Sequence, residues 1–139
     1  MVQLIVGRKG KGKTKQLLEK VNNEVKVLPG NIVYLDKNTK HMYELNNRVR
    51  LVDVSQFMIT SSNEFIGFVS GIVSQDHDLQ QIYFDSFLTI ACLEGQDYMP
   101  TLDKLEKLSK KFEVDFILSM SLDESELPAE LKDKVIVSL

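Results

Sequence analysis

The segment QLIVGRKGKGKT (residues 3–14) joins a short apolar run to a stretch that is rich in glycine and basic residues. Three of the seven glycines and five of the 17 lysines and arginines fall between Gly7 and Lys15. The segment matches the pattern G-x-x-x-x-G-K-[ST], which is typical of a loop that holds phosphate groups between a strand and a helix. The pattern therefore predicts a phosphate-binding loop directly after the first strand.

Each position of this pattern has a chemical reason. Glycines allow the backbone to curl, so that successive N–H groups converge on one anion, and the N-terminus of the next helix adds partial positive charge. Lys13 is expected to reach the β- and γ-phosphates of a nucleotide, and the Thr14 hydroxyl to ligate Mg²⁺. The residues expected to surround the phosphates are Gly7, Arg8, Lys9, Gly10, Lys11 and Gly12. The alternative is a glycine-rich surface turn with solvated lysines.

Composition limits the class of protein. The 139 residues are 43% hydrophobic and 27% charged, which is typical of one globular domain. The formal net charge of -3 leaves no overall basic surface for nucleic acid, so any nucleic-acid binding would have to be local. The basic residues available for local nucleic-acid binding are Arg8, Lys9, Lys11 and Lys15, which are otherwise expected to form a solvated rim.

No apolar run is long enough to span a membrane, no signal peptide is recognisable, and a single cysteine suits a reducing compartment, so we expect a cytoplasmic protein.

Strands and helices alternate along the chain. The predicted strands are the short apolar runs 2–6, 31–36, 48–54, 81–87, 114–121 and 134–139. The predicted amphipathic helices cover 13–27, the region around 65–73, and 101–112. Short apolar runs are typical of strands buried on both faces. Residues 1–139 are therefore predicted to form a single α/β domain. We expect a three-layer sandwich whose mostly parallel sheet of about five to six strands has helices on both faces.

The predicted strand QIYFDSF (81–87) supplies a carboxylate. Its apolar residues end at Asp85, and a site for Mg²⁺ and a nucleotide needs a carboxylate on a neighbouring strand to hold the metal and its water shell. Asp85 is therefore predicted to act as a metal ligand beside Thr14. The alternative is that Asp85 only caps the next helix.

With these two motifs in this order, the chain resembles the P-loop NTPases, and within them the RecA-like group that includes replicative helicases. The stretch LDKLEKLSKKFEVDFILSMS (102–121) is similar to the helix and strand that follow the aspartate in hexameric helicases. The resemblance implies that a polar residue near the end of that strand, Ser119 or Ser121, senses the γ-phosphate. It also implies a catalytic acid just after the second strand, where this chain has Asp36.

The chain departs from the RecA-like pattern at two catalytic positions. That group usually has a glutamate at this position. Asp36 is one methylene shorter than a glutamate. The next acid after Asp85 is Glu94, so Asp36 and, as a weaker candidate, Glu94 are expected to orient the attacking water. No arginine stands in an obvious finger position, although Lys132 or Lys134 could reach a neighbouring subunit. A homo-oligomer or a protein partner is therefore a possible source of the missing cation.

Two functions are predicted from these features. The first is a Mg²⁺-dependent ATPase of low intrinsic activity, in which ATP binds in the loop and a carboxylate orients water for in-line attack. ATP is favoured over GTP because the chain lacks an N/T-K-x-D motif, and a nucleoside kinase would need lid arginines that the chain hardly has. The alternative is a nucleotide-binding module with little or no hydrolysis. In that case ATP would order the loops 37–47 and 94–100 for a partner.

Overall fold

A computed structural model describes residues 1–139 and contains one sheet of six parallel strands. The strands are β1 (Val2–Gly7), β2 (Asn31–Asp36), β3 (Val49–Asp53), β4 (Leu79–Phe84), β5 (Asp115–Ser121) and β6 (Val135–Ser138). The helices are α1 (Lys13–Glu24), α2 (Ser62–Gln75), α3 (Phe87–Ile90) and α4 (Met99–Phe112). The predicted α/β class with a parallel sheet is confirmed.

The order of strands across the sheet is β3-β2-β4-β5-β1-β6. The first strand and the strand before Asp85 are therefore not neighbours, because β5 lies between them. Since all strands are parallel, their carboxyl ends meet at one edge of the sheet, where ligands of such folds bind. The loop after β1, Asp36 at the end of β2 and Asp85 directly after β4 all lie at this edge.

Helices cover both faces of the sheet, as a three-layer sandwich requires. On one face α1 packs over the sheet through a cluster of nine buried residues: Ile5, Leu17, Val21, Val25, Ile32, Tyr34, Val49, Tyr83 and Ile117. On the other face α2, α3 and α4 share a larger cluster of 25 buried residues. The apolar stripe of α2 that helical spacing predicts, at Phe65, Val69 and Val73, faces this second cluster. No helix combines the length and the apolar character needed to cross a membrane.

The predicted end of the fourth strand is wrong by three residues. The strand ends at Phe84, and Ser86 has φ 58°, a left-handed conformation that turns the chain into α3. Phe87 therefore begins a helix and packs its ring edge-on against Phe84 and Phe65. The apolar pattern runs on through Phe87 because that residue is buried in either conformation, so periodicity alone does not mark the turn.

The first strand carries a glycine whose packing can be tested. A Cβ atom at Gly7 would lie 2.9 Å from the Leu139 Cβ, because β6 pairs directly with β1. We expect Gly7→Ala to lower the free energy of unfolding by about 1–3 kcal/mol, the usual cost of forcing a carbon into a packed site. Denaturant unfolding measures this. Gly67→Ala is the matched control, since its Cβ would meet no atom within 4 Å and alanine favours the helix α2. An unchanged Gly7→Ala midpoint would contradict the packing.

Candidate functional site

The loop between β1 and α1 owes its shape to two glycines in the left-handed region. Gly10 has φ 85° and Gly12 has φ 99°, values that other residues adopt only with strain. A Cβ atom at either position would meet nothing within 4 Å, so the requirement for glycine is conformational rather than steric. Gly12 is the cap residue of α1, so the free N–H groups of the first helical turn lie next to the loop.

Lys13 is folded back into this loop. Its side chain is only 8% exposed, and Nζ donates a hydrogen bond to the Arg8 carbonyl oxygen at 3.1 Å. Burial lowers the pKa of the Lys13 ammonium, while the negative charge of Asp85 acts in the opposite direction. A buried cation with a single carbonyl partner has unused donors, which is the state expected of a group that binds an anion.

Asp85 lies at the centre of a network of hydroxyl groups. Thr14 Oγ1 donates to Asp85 Oδ1 at 3.1 Å, and the Ser119 hydroxyl lies 3.3 Å from the same oxygen. The buried Tyr34 hydroxyl donates to Asp85 Oδ2 at 2.8 Å. Ser119 is itself held by the backbone N–H of Ser86 at 2.8 Å. These contacts fix the Asp85 carboxylate against the first turn of α1, as the predicted pairing with Thr14 requires.

The register of the sheet brings three polar side chains into one row. Leu35 pairs with Phe84, and Phe84 with Leu118, so the residues that follow these three in the chain lie at the same level. Those residues are Asp36, Asp85 and Ser119, and all three are buried. Alternation along the strands directs them to the face that α1 covers, because Tyr34, Tyr83 and Ile117, two positions earlier, belong to that core.

Asp36 is an incompletely satisfied buried acid. It is 2% exposed, Oδ1 accepts the Lys37 N–H at 2.7 Å, and Oδ2 has no hydrogen-bond partner. Burial, together with the nearby charge of Asp85, raises the pKa of Asp36 to about 6. A carboxylate with a free oxygen and a pKa near neutrality is suited to take a proton from a bound molecule.

Two cavities open at this edge of the sheet and meet each other. The main cleft has a volume of about 640 Å³ and extends from the loop after β1 to Glu94 and Gly95. The side cavity has a volume of about 160 Å³ and extends from Asp36 along the start of the loop 37–47. Four residues line both cavities: Thr14, Lys37, Asp85 and Ser86. The main cleft has the volume of an ordinary ligand site, and the side cavity has room for several water molecules.

The structure brings most of the predicted site residues to these cavities. The predicted residues that line the main cleft are Lys9, Gly10, Gly12, Lys13, Thr14, Asp85, Glu94, Ser119 and Ser121. Asp36 lines the side cavity. Three loop residues, Gly7, Arg8 and Lys11, do not line either one. Of the two serines proposed to sense phosphate, Ser119 is buried against Asp85, whereas Ser121 is exposed at the rim.

The basic residues outside the main cleft have other places. Arg8 lies 3.9 Å from Asp123, and Lys134 forms an ion pair with Glu106 at 2.9 Å within its own chain. Lys11, Lys15 and Lys132 are exposed. Binding of nucleic acid or of a second subunit by these residues stays a prediction.

Sequence reasoning missed two residues of the site, Tyr34 and Lys37. Tyr34 stands inside an apolar strand, so its pattern predicts only a core residue, although a buried tyrosine hydroxyl needs a partner. That partner is Asp85, 51 positions later, and only the pairing of β2 with β4 brings the two together. Lys37 follows the second strand in a polar loop, where a solvated side chain is the ordinary expectation.

The oxygen atoms present fit a Mg²⁺ ion bound together with phosphate. The Thr14 hydroxyl and the Asp85 carboxylate are hard oxygen ligands, already 3.1 Å apart. The chain has no cluster of three or more His, Cys, Asp or Glu side chains arranged to hold a metal. Mg²⁺ does not need one, since it is usually held by one or two side chains, substrate phosphates and water.

The hydrogen bond from Tyr34 to Asp85 provides a test of the network. We expect Tyr34→Phe to reduce the gain in ATP affinity that Mg²⁺ gives by about tenfold, because one oxygen of Asp85 loses its only partner and the carboxylate can rotate. Calorimetric titration with ATP, in Mg²⁺ and in EDTA, measures this ratio. Tyr83→Phe is the matched control, since Tyr83 stacks on Tyr34 but donates to Gln81. Equal ratios in the two variants would show that Tyr34 only fills space.

Comparison with protein families and with curated proteins adds no relative to this picture. The chain matches no protein-family model, and no curated protein is significantly similar to it. The function must therefore be argued from the arrangement of the loop, the Asp85 network and the two cavities.

Proposed function

We propose that this protein is a member of the P-loop NTPases, of the RecA-like branch, that binds ATP with Mg²⁺ and hydrolyses it slowly. The observation that carries the proposal is the contact between Thr14 and Asp85, which line the main cleft together with the buried Lys13. A glycine-rich surface turn with solvated lysines would not be expected to bring the Thr14 hydroxyl, the Lys13 ammonium and the Asp85 carboxylate to one cavity. In this proposal the phosphates of ATP lie in the main cleft.

The loop provides the groups that hold a triphosphate. Free N–H groups at the start of α1 and the partial charge of the helix N-terminus favour an anion. Lys13 exchanges its bond to the Arg8 carbonyl for bonds to phosphate oxygens, which are charged and therefore stronger acceptors. Bound Mg²⁺ neutralises part of the phosphate charge. Tyr34 and Ser119 hold the Asp85 carboxylate in place, so that its Oδ1 atom stays directed at the Thr14 hydroxyl.

Hydrolysis requires a base beside an attacking water, and Asp36 has that position in this proposal. The free Oδ2 of Asp36 accepts a proton from water in the side cavity, while the water oxygen bonds to the γ-phosphorus. The bond from that phosphorus to the β–γ bridging oxygen breaks, and ADP leaves with the electron pair. Asp36 then returns its proton to solvent. Glu94 is less favoured for this role, because it is exposed and lines only the main cleft.

The side cavity favours water over an organic phosphoryl acceptor. No hydrophobic residue lines it, and the His41 imidazole is its one aromatic ring, so it offers little apolar surface to a base or a sugar. Its volume of about 160 Å³ holds several water molecules, each of which needs roughly 10–30 Å³. This supports ATP hydrolysis rather than transfer to a second substrate.

The direct experiment measures ATP binding and phosphate release by the purified full chain. We expect one ATP bound per chain in the presence of Mg²⁺ and a slow release of phosphate, with GTP bound more weakly. Phosphate release that equals the background of a Lys13→Ala sample would remove the hydrolytic function. Failure of the wild-type protein to bind any nucleoside triphosphate would remove the whole proposal.

A second candidate function is a nucleotide-regulated binding module. The observation that favours it is that both loops flanking the site reach the main cleft, one through Lys37 and the other through Glu94 and Gly95. ATP in the main cleft would then order both loops for a protein partner. ATP binding with no phosphate release above background would support this function over hydrolysis.

A further inference from the structure

The junction between the main cleft and the side cavity has a cation, Lys37, whose position bears on how phosphate charge is stabilised. We propose that Lys37 contacts the γ-phosphoryl group of bound ATP, so that this chain carries its own catalytic cation and needs none from a neighbour. The inference rests on the proposed nucleotide function and deepens it. It replaces the expectation that a second subunit supplies a lysine or an arginine.

Lys37 is the one lysine that lines both cavities. Lys9 and Lys13 line the main cleft alone, and Lys40 lines the side cavity alone. The γ-phosphoryl group in the main cleft and the attacking water beside Asp36 must meet where the two cavities join. A cation at that junction faces the group whose charge changes most during the reaction.

The Lys37 side chain is available, and its backbone is anchored. The side chain is exposed and takes part in none of the six ion pairs of the chain. Its backbone N–H is fixed by the 2.7 Å hydrogen bond to Asp36 Oδ1. The stem of the lysine therefore starts beside the proposed base, while its ammonium forms no ion pair with a carboxylate.

The three arginines of the chain lie elsewhere. Arg8 faces Asp123, and Arg48 donates to the Val25 carbonyl oxygen at 3.0 Å. Arg50 lies on β3, at the edge of the sheet, and lines a separate cavity next to α2. None of them lines the main cleft or the side cavity. Lys37 is thus the only cation outside the phosphate-binding loop that lines the main cleft.

The test compares Lys37→Ala and Lys37→Arg with Lys26→Ala, an exposed lysine beyond the end of α1. The first readout is the ratio of ATP to ADP affinity, measured by calorimetry in Mg²⁺. We expect Lys37→Ala to lower this ratio about tenfold, because ADP lacks the group that Lys37 contacts, and Lys37→Arg to restore most of it. The second readout is phosphate release, which we expect to fall about 100-fold in Lys37→Ala.

Two results would overturn the inference while leaving the proposed function in place. One is a Lys37→Ala protein whose ATP-to-ADP ratio and phosphate release match those of Lys26→Ala. The other is a wild-type rate per chain that rises steeply with protein concentration, since that would place the cation on a second chain. Failure of the proposed function looks different, because the wild-type protein would then bind neither ATP nor ADP.

Discussion

Replacing Lys13 with alanine is expected to weaken the affinity for Mg·ATP by at least about 100-fold, since each charge-assisted hydrogen bond contributes about 1.5–3 kcal/mol. Lys13 is buried in the loop with one carbonyl partner, and burial already lowers the pKa of its ammonium. Removing this group relieves a desolvation cost at the same time as it removes one hydrogen bond. We therefore expect nearly unchanged thermal stability together with the loss of binding.

Calorimetry and thermal unfolding of the same samples check both parts of this prediction. Lys15→Ala is the control, because Lys15 lies two residues later in α1 and is exposed. It should bind ATP within a factor of about three of the wild type, as expected for a surface charge outside the contact. If Lys13→Ala instead lost stability and kept its affinity, Lys13 would be a structural lysine that only closes the loop.

Replacing Asp36 with asparagine is expected to stop hydrolysis and to stabilise the fold. Phosphate release should fall at least about 100-fold, since general bases commonly contribute factors of 10²–10⁴. The Lys37 N–H keeps an acceptor in the variant, so the local hydrogen bond survives. An opposite effect on stability and activity is what a buried acid retained for chemistry should show.

The stabilisation depends on pH in a defined direction. Because the folded pKa of Asp36 is raised from 3.8 to about 6, the folded protein binds a proton more tightly than the unfolded chain. The wild type therefore loses stability as pH rises from 4 through 6, and the loss is then constant. We expect Asp36→Asn to gain about 1–3 kcal/mol over the wild type between pH 4 and pH 7.5, the lower figure allowing for water in the side cavity.

Urea unfolding at pH 4 and at pH 7.5 measures this difference, and phosphate release over the same range gives a second readout. The wild-type kcat/KM for phosphate release should rise as pH increases through about 6, because this ratio follows the free protein, in which Asp36 must be ionised to accept a proton. The matched variant is Glu94→Gln, whose exposed carboxyl lines only the main cleft. If Glu94→Gln abolished phosphate release and Asp36→Asn retained it, the assignment of the base would be reversed.

The local motifs predicted much of the fold and of the site. The loop pattern predicted the first strand, the first helix and the residues between them, because each requirement lies within a few neighbouring positions. Asp85 was predicted because a polar residue at the end of a buried strand of a parallel sheet comes to the ligand-binding edge, whereas Asp36 was predicted only from the resemblance to RecA-like enzymes. The structure places both aspartates at that edge, at the same level as each other and as Ser119.

Contacts between distant residues could not be predicted, since they depend on strand order. The Tyr34 hydroxyl reaches Asp85 only because β2 lies beside β4. Position 7 has no room for a side chain, partly because β6 lies beside β1 and brings Leu139 against Gly7. Short apolar runs show that a strand is buried, but they do not show which strands are its neighbours.

The most direct test of the central claim is a calorimetric titration of the full chain with ATP in millimolar Mg²⁺. The proposed site predicts saturable binding at one site per chain, weaker when Mg²⁺ is replaced by EDTA, and a higher melting temperature in excess ATP. Titrations that show no heat with ATP or GTP, with a melting temperature that millimolar nucleotide does not change, would contradict the claim that the loop after β1 binds a triphosphate.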